Sequence, residues 1–325
     1  MKYRNLGRSG VKVSEVSLGT GGQFALLGQE AVGRMVAAAI DAGINYFDTA
    51  NIYPVTETPP SGQLAELHLG AALEGRRDEV VLGTKGMQPT GPGPNDRGAS
   101  RYNLMNALEA SLRRLRTDHV DLYQIHLFDA TTPSEETMRT LDEMVRSGKV
   151  RYVGASQYLA WQVCRCNDLA ERYGWEGFVS VQVHYQLLDR EAEREMLPYC
   201  RAMGVGVLPY FAMANGLFGG RVRPGQEPPP DSRAATFVRA RQYHLRYGTP
   251  VNLGKIERLS AFSQERGRAL SELAIAWLLA EPAVSTVPVG ASRVEHVVSN
   301  ARAAEWRLSA EEIAQVRSIL EEAAI

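Results

Sequence analysis

Asp48, Tyr53, Lys85 and His126 are side chains of the types that move protons. Asp48 closes the apolar run Ile44-Asn45-Tyr46-Phe47, and Tyr53 follows five residues later. Lys85 closes Val80-Val81-Leu82-Gly83-Thr84, and His126 closes Val120-Asp121-Leu122-Tyr123-Gln124-Ile125. Each therefore sits at, or just past, the carboxyl end of an expected buried strand. In a barrel of parallel strands those ends open on one face, where active sites are built. An acid, a phenol, an ammonium and an imidazole on that face make a proton-transfer set. Arginine carries nearly all the positive charge of the chain, with lysine only at Lys2, Lys12, Lys85, Lys149 and Lys255. A compact ammonium at position 85 differs chemically from a guanidinium.

The elements that must hold these residues alternate. Eight β-rich runs are expected: 16–18, 45–48, 80–85, 120–126, 150–156, 179–184, 205–210 and 284–289. Amphipathic helical stretches lie between them at 29–43, 61–75, 100–116, 134–148, 159–173, 189–203 and 255–280, with 293–304 and 309–323 at the end. Such alternation implies a parallel sheet with crossover helices. Eight units imply a closed (β/α)8 TIM barrel as a single domain over 1–325. Tyr3–Leu6 and Val11–Val13, joined by Gly7-Arg8-Ser9-Gly10, read as an N-terminal β-hairpin capping the barrel. Helix starts are expected at Pro133-Ser134-Glu135-Glu136 and at the capping box Ser309-Ala310-Glu311-Glu312. Three long βα loops, 54–62, 87–99 and 211–254, should lie on the active-site face.

Composition narrows the partners. The chain has 325 residues, 44 % hydrophobic and 22 % charged, an ordinary globular balance. A net charge of −1 gives no electrostatic reason to bind nucleic acid or an anionic membrane. No apolar run reaches the roughly 20 residues of a membrane helix. The opening Met-Lys-Tyr-Arg-Asn-Leu-Gly lacks a signal-peptide core, so a cytoplasmic protein is expected. Cys164, Cys166 and Cys200 show no zinc-type pairing and suit a reducing compartment. Of the other histidines, His68, His119 and His244 read as helix-face, turn and loop residues, and His184 lies near a strand end without an assigned role.

The runs Phe47-Asp48-Thr49-Ala50-Asn51-Ile52-Tyr53, Glu66-Leu67-His68-Leu69-Gly70 and Thr84-Lys85 stand in an order found in one known family. So do Leu122-Tyr123-Gln124-Ile125-His126, Gly148–Ser156 and Gly290-Ala291-Ser292-Arg293. Together they resemble the aldo-keto reductases, over essentially the whole chain. The loops Gly91-Pro92-Gly93-Pro94-Asn95-Asp96 and Asp129–Pro133 look most like the bacterial branch related to potassium-channel β subunits. The resemblance implies reversible hydride transfer between a nicotinamide and a small carbonyl. Tyr53 would supply the proton to the nascent alkoxide. A free phenol has a pKa of about 10, and a close ammonium such as Lys85 lowers it. Asp48 would hold Lys85 charged, and His126 would orient the carbonyl oxygen.

The cofactor implied is NADP(H), with NAD(H) as the other option. Gly19-Thr20-Gly21-Gly22 and Gly204-Val205-Gly206 both fail the Gly-x-Gly-x-x-Gly pattern, which leaves a Rossmann mode unsupported. By resemblance, Ser156, Gln157 and Gln182 match carboxamide contacts, Tyr210 the aromatic platform under the nicotinamide, and Thr20 and Asp48 positions near the ribose. Phe211–Leu217, including Met213 and Gly216, matches the loop over the pyrophosphate, with Arg221 following it. Gly290, Ala291, Ser292 and Arg293 are read as opening a helix whose N–H groups bind phosphate, Arg293 pairing with a 2′-phosphate. Asn300 matches an adenine contact. The chain departs from the family pattern at Gln157 (usually Asn), Phe211-Ala212-Met213 (often Ser-Pro-Leu), His296 (often Arg or Gln) and Ser299 (often Glu). The substrate pocket would be lined near Gln23-Phe24, Ile52, 54–62, Met87, Phe128 and 211–254. Two other readings stay open: a sugar or alcohol dehydrogenase, and a nucleotide-sensing regulatory subunit with slow turnover. A hydrolase on the same barrel lacks a metal-ligand cluster or a Ser-His-Asp arrangement. A homo-oligomer is compatible with all of these.

Overall fold

A computed structural model describes residues 1–54, 63–219 and 238–321. Short strands β1 (Tyr3–Asn5) and β2 (Lys12–Ser14) form an antiparallel hairpin, with Tyr3 opposite Ser14. Eight parallel strands follow: β3 (Val16–Gly19), β4 (Tyr46–Asp48), β5 (Val81–Gly86), β6 (Val120–Ile125), β7 (Val150–Ser156), β8 (Phe178–His184), β9 (Gly206–Tyr210) and β10 (Val287–Gly290). They pair in sequence order, and β10 returns to pair with β3. Val207 N–H donates to Ala283 O at 2.8 Å and Ser285 N–H donates to Val207 O at 3.0 Å, joining β9 to the segment that enters β10. The sheet is thus the expected barrel.

The helices are α1 (Gln29–Asp41), α2 (Leu64–Ala72), α3 (Arg101–Leu115), α4 (Ser134–Arg146), α5 (Ala160–Tyr173), α6 (Met196–Met203), α7 (Val238–Tyr247), α8 (Pro250–Gln264), α9 (Leu270–Leu279), α10 (Val294–Ala303) and α11 (Ala310–Glu321). Their apolar faces pack on the outer faces of the strands in one continuous core. A second, smaller cluster of Leu6, Val13, Tyr46, Leu122, Val179 and Leu208 links the hairpin to the barrel interior. Gly7, at φ +55°, lets the hairpin turn sit directly against Val179 O and Gly206 N, where any Cβ would overlap backbone. The hairpin therefore closes the amino end of the barrel and leaves the carboxyl end open.

Several expectations need correction. The helix expected over 255–280 is two helices, α8 and α9. Gly267 at φ +65° stops the first, and Glu272 reaches back to Ala269 N–H at 2.8 Å to start the second. The stretch 189–203 is helical only as a short 3-10 turn at Glu191–Glu193 and then as α6. The Gln186–Asp189 turn, with two reciprocal backbone bonds of 3.0 and 3.1 Å, occupies the space of an earlier start. His244 lies in α7, not in a loop. Loop 55–62, the tract 220–237 and Arg221 lie outside the described residues. The capping box at the last helix forms as expected: Ser309 Oγ accepts from Glu312 N–H at 3.2 Å, and Glu312 Oε2 accepts from Ser309 N–H at 2.9 Å.

Candidate active site

Strand register carries the four proton-moving residues to one place. Asp48 is level with Gly83, and Lys85 is level with Gln124. The chain keeps bonding past the end of β4: Thr49 N–H donates to Gly83 O at 2.9 Å and Asn51 N–H to Lys85 O at 3.1 Å. That extension turns Tyr53 back over the barrel mouth. His126 follows β6 directly, its N–H bonded to Gly86 O at 3.0 Å.

Lys85 is completely buried. Its Nζ donates to Asp48 Oδ2 at 2.6 Å and to Thr49 O at 2.8 Å. Asp48 Oδ1 accepts from Gln124 Nε2 at 3.1 Å and from the Tyr46 hydroxyl at 3.4 Å. Burial alone would drive the ammonium toward neutrality. The charges and hydrogen bonds of Asp48 and Tyr53 outweigh it and hold the Lys85 pKa above the ordinary lysine value. The Lys85 ammonium lies 5.2 Å from the centroid of the Tyr53 ring. The His126 ring meets Tyr53 edge-on, with centroids 5.8 Å apart at 84°. Asp48, Lys85, Tyr53 and His126 are thus brought together. Tyr46, by contrast, is pushed well above the ordinary phenol range by burial and by Asp48, so it stays a neutral donor to that carboxylate.

Three neighbours escaped sequence reasoning. Gln124 orients Asp48, and its place opposite Lys85 across a register-matched strand pair is the signal that could have found it. Gly21 faces the Tyr53 ring: a Cβ there would lie 3.5 Å from ring carbons. Asn51 is 1 % exposed, with both side-chain amide atoms buried and unpaired. A polar cleft of roughly 420 Å³ lies between the segments that follow β5 and β6, lined by Met87, Gln88, Arg97, Asp129, Thr131 and Thr132 among others. Asp129 braces it. Partial burial raises its pKa, but bonds from Thr131, Ala99 and Thr132 prevail and hold it at about 2. Phe24 is 1 % exposed and part of the core.

Of the described residues matched to cofactor contacts, Ser156, Gln182, Tyr210 and Gly290 lie at or near the carboxyl ends of β7, β8, β9 and β10. Ser156 ends β7 and is level with Gln182 on β8. The Gln182 Nε2 is buried and has no hydrogen-bond partner. Gln157, at φ +56°, donates one N–H of its Nε2 to His126 O at 3.0 Å. Thr20 directs both its N–H and its hydroxyl to Asp48 O, at 2.9 and 3.1 Å. Tyr210 ends β9. Beyond it Phe211, Ala214, Asn215 and Gly216 all take positive φ, and Ala214 N–H and Gly216 N–H bond back to Phe211 O and Met213 O. Positive φ at successive residues is costly outside glycine and marks a loop shaped for a purpose. Gly290, Ala291 and Ser292 precede α10 instead of opening it, because Arg293 is its extended N-cap residue. The Arg293 side chain is 68 % exposed and 3.9 Å from Glu295. His296, in the first turn, shares a 3.2 Å bond with Ser292 Oγ, and Asn300 lies two turns along.

No described helix is long and apolar enough to cross a membrane. Among the described residues no group of three or more His, Cys, Asp or Glu side chains is placed to hold a metal.

A model of the aldo/keto reductase family matches residues 16–321. The chain is 35 % identical over 326 residues to the oxidoreductase YrpG of Bacillus subtilis (strain 168), covering 98 % of this chain and 96 % of the relative. It is 35 % identical over 308 residues to a probable voltage-gated potassium channel subunit beta of Oryza sativa subsp. japonica, covering 93 % and 91 %. It is 34 % identical over 330 residues to the L-glyceraldehyde 3-phosphate reductase of Escherichia coli O157:H7, covering 97 % and 91 %. With the barrel and the mouth geometry already in place, these matches settle the family: this chain is an aldo/keto reductase family oxidoreductase.

Proposed function

We propose that the chain is an NADPH-dependent reductase of a small or medium aldehyde or ketone, with Tyr53 as proton donor. The observation that carries this reading is the buried Lys85 ammonium, 2.6 Å from Asp48 and 5.2 Å from the Tyr53 ring centroid. When bound, the nicotinamide supplies a hydride to the carbonyl carbon. The oxygen then gains negative charge, and the protein must deliver a proton to it. Tyr53 gives that proton. Lys85, kept charged by Asp48, stabilises the phenolate left behind. His126, edge-on to Tyr53, hydrogen-bonds the carbonyl oxygen and sets its approach. The same residues serve the reverse reaction, in which Tyr53 accepts the proton.

The residues at the mouth fit the cofactor. The unpaired buried Gln182 Nε2 suits a carboxamide oxygen, with Ser156 beside it in register. Tyr210 offers a ring face for stacking, with Thr20 and Asp48 toward the ribose. The strained run Phe211–Gly216, with Met213 inside it, covers the pyrophosphate. The N–H groups of Gly290–Arg293 would hold a phosphate and Asn300 the adenine, with Gln157 contributing through its bond to His126 O. The exposed Arg293 guanidinium has only a distant partner, which favours a 2′-phosphate and so NADPH over NADH. Arg97, Gln88 and the two threonines of the cleft suit a polar, sugar-like carbonyl.

Titration of the protein with NADPH and with NADH, followed by loss of NADPH absorbance over an aldehyde and sugar panel, tests this reading. NADPH binding with turnover supports it. Tight NADPH binding with no turnover of any carbonyl favours the nucleotide-sensing alternative, and the absence of binding to either nucleotide removes the cofactor assignment.

A further inference from the structure

Behind Tyr210 lies a cluster that the proton-transfer site does not use. His184 ends β8 and is the register partner of Tyr210 across β8–β9. The two rings are stacked, with centroids 5.3 Å apart at 19°. Phe211, Tyr243 and Tyr247 pack edge-on around the imidazole, at 5.8, 5.5 and 5.9 Å. The last two come from α7, so one histidine joins two strands and a helix.

Both imidazole nitrogens are held. Nδ1 is 3.2 Å from Asp189 Oδ2, and Nε2 is 2.6 Å from the Tyr243 hydroxyl. The direction of the chain of bonds can be worked out. Gln186 Oε1 accepts from Leu188 N–H at 2.7 Å, which turns its Nε2 toward Tyr243, to whose hydroxyl it donates at 3.3 Å. The Tyr243 hydroxyl, which accepts from Gln186, also shares a bond with His184 Nε2. Nδ1 carries the ring proton and donates it to Asp189. The Tyr247 hydroxyl donates to the same Asp189 oxygen, which the His184 and Tyr247 bonds keep ionised far below the usual carboxylate range. Gln186 and Asp189 are themselves locked by two reciprocal backbone bonds.

We propose that His184 is a positioning residue for the nicotinamide end of the cofactor site, backing the Tyr210 ring and fixing its tilt through bonds to Asp189 and Tyr243. The inference rests on the reading of Tyr210 as the ring on which the nicotinamide stacks. One face of Tyr210 is taken by the imidazole, and Phe211 meets its ring edge-on at 5.1 Å. Because Tyr243 and Tyr247 belong to α7, the platform and that helix are held by the same residue.

The test compares two ligands. NADPH contacts the platform; 2′,5′-ADP carries the phosphate and adenine end alone. His184→Ala is expected to weaken NADPH by about two- to tenfold, the range of one aromatic stacking interaction, and to leave 2′,5′-ADP unchanged. Tyr243→Phe removes one oxygen and keeps the ring. It is expected to shift NADPH the same way by a smaller factor, and it carries the test if His184→Ala does not fold. Tyr210→Ala serves as reference. If Tyr210→Ala weakens NADPH while His184→Ala and Tyr243→Phe do not, the inference is overturned and the platform reading survives. If Tyr210→Ala leaves NADPH affinity unchanged, the platform reading itself fails. Equal losses for NADPH and 2′,5′-ADP in the His184 and Tyr243 variants would reduce His184 to a fold-holding residue.

Discussion

Replacing Asp48 by Asn removes one charge from the site and almost no volume. In the native chain Lys85 Nζ is fully buried and donates to Asp48 Oδ2 at 2.6 Å and to Thr49 O at 2.8 Å. After the substitution the ammonium keeps a carbonyl but has no carboxylate counterion. The new amide must also place its NH2 either toward Lys85 or toward Gln124 Nε2, a donor against a donor in both cases. Breaking a buried ion pair from one side costs about 3–5 kcal/mol, and that is the expected loss in unfolding free energy near neutral pH. The sign with pH follows from the direction of the Lys85 shift. Its folded pKa is raised, so its contribution is complete below the ordinary value of 10.5 and is lost as pH rises through the folded value. In Asp48→Asn, burial prevails and the lysine favours its neutral form. The folded variant then binds fewer protons than the unfolded chain, and its stability climbs as pH rises toward the ordinary lysine range. Urea unfolding of both proteins from neutral to alkaline pH reads the difference directly. The gap should be largest near neutrality and narrow at high pH. A gap under about 1 kcal/mol at neutral pH, or one that does not change up to the ordinary lysine range, would refute the coupling argued for this pair.

Other outcomes follow from the same geometry. Gly86→Ala would place a Cβ on the Tyr123 hydroxyl, a buried group without a partner, and should destabilise by about 1–3 kcal/mol. Tyr123→Phe should be neutral or stabilising alone and should rescue Gly86→Ala in a double-mutant unfolding cycle. Asp129→Ala removes the acceptor for Ala99 N–H, Thr131 N–H and two threonine hydroxyls. The native Asp129 pKa is lowered, so its stabilisation exists above the ordinary 3.8 and disappears as pH falls through about 2. The stability gap between native protein and Asp129→Ala should therefore close between those values in acid unfolding. Arg293→Ala should weaken NADPH by about tenfold at low salt while sparing NADH, and added salt should shrink the difference, since the side chain is 68 % exposed. Equal effects on both nucleotides in isothermal titration would remove the 2′-phosphate role.

The barrel, and the gathering of Asp48, Tyr53, Lys85 and His126 at its mouth, were legible because strand period and strand ends are local properties. Val80–Thr84 and Val120–Ile125 read as buried strands on their own, and the residue that follows each run lands on the open face by topology. Tyr53 was harder, since it is placed by bonds from Asn51 to Lys85 that continue the ladder past the strand. What escaped depends on contacts across the fold. Gln124 matters only because it is level with Lys85 and reaches Asp48. Gly21 reads as part of a glycine-rich turn, and only the approach of Tyr53 gives it a role. His184 was noticed near a strand end, but its partners come from residues up to 63 positions away, on α7. Helix ends failed where a single glycine, Gly267, or the Gln186–Asp189 turn overrode an amphipathic pattern. The helix expected over 293–304 is α10, whose N-cap is Arg293, so Gly290, Ala291 and Ser292 lie in the turn before it rather than opening it.

We propose that Tyr53 protonates a carbonyl oxygen as hydride arrives from NADPH. The most direct measurement is a single-turnover reaction of protein loaded with 4-deuterated NADPH and an aldehyde that the native chain reduces, with deuterium in the alcohol read by mass spectrometry. Native protein should place deuterium on the former carbonyl carbon, and Tyr53→Phe should slow that transfer by about 10²–10⁴-fold while binding NADPH with native affinity. Deuterium transfer at the native rate in Tyr53→Phe would contradict the claim.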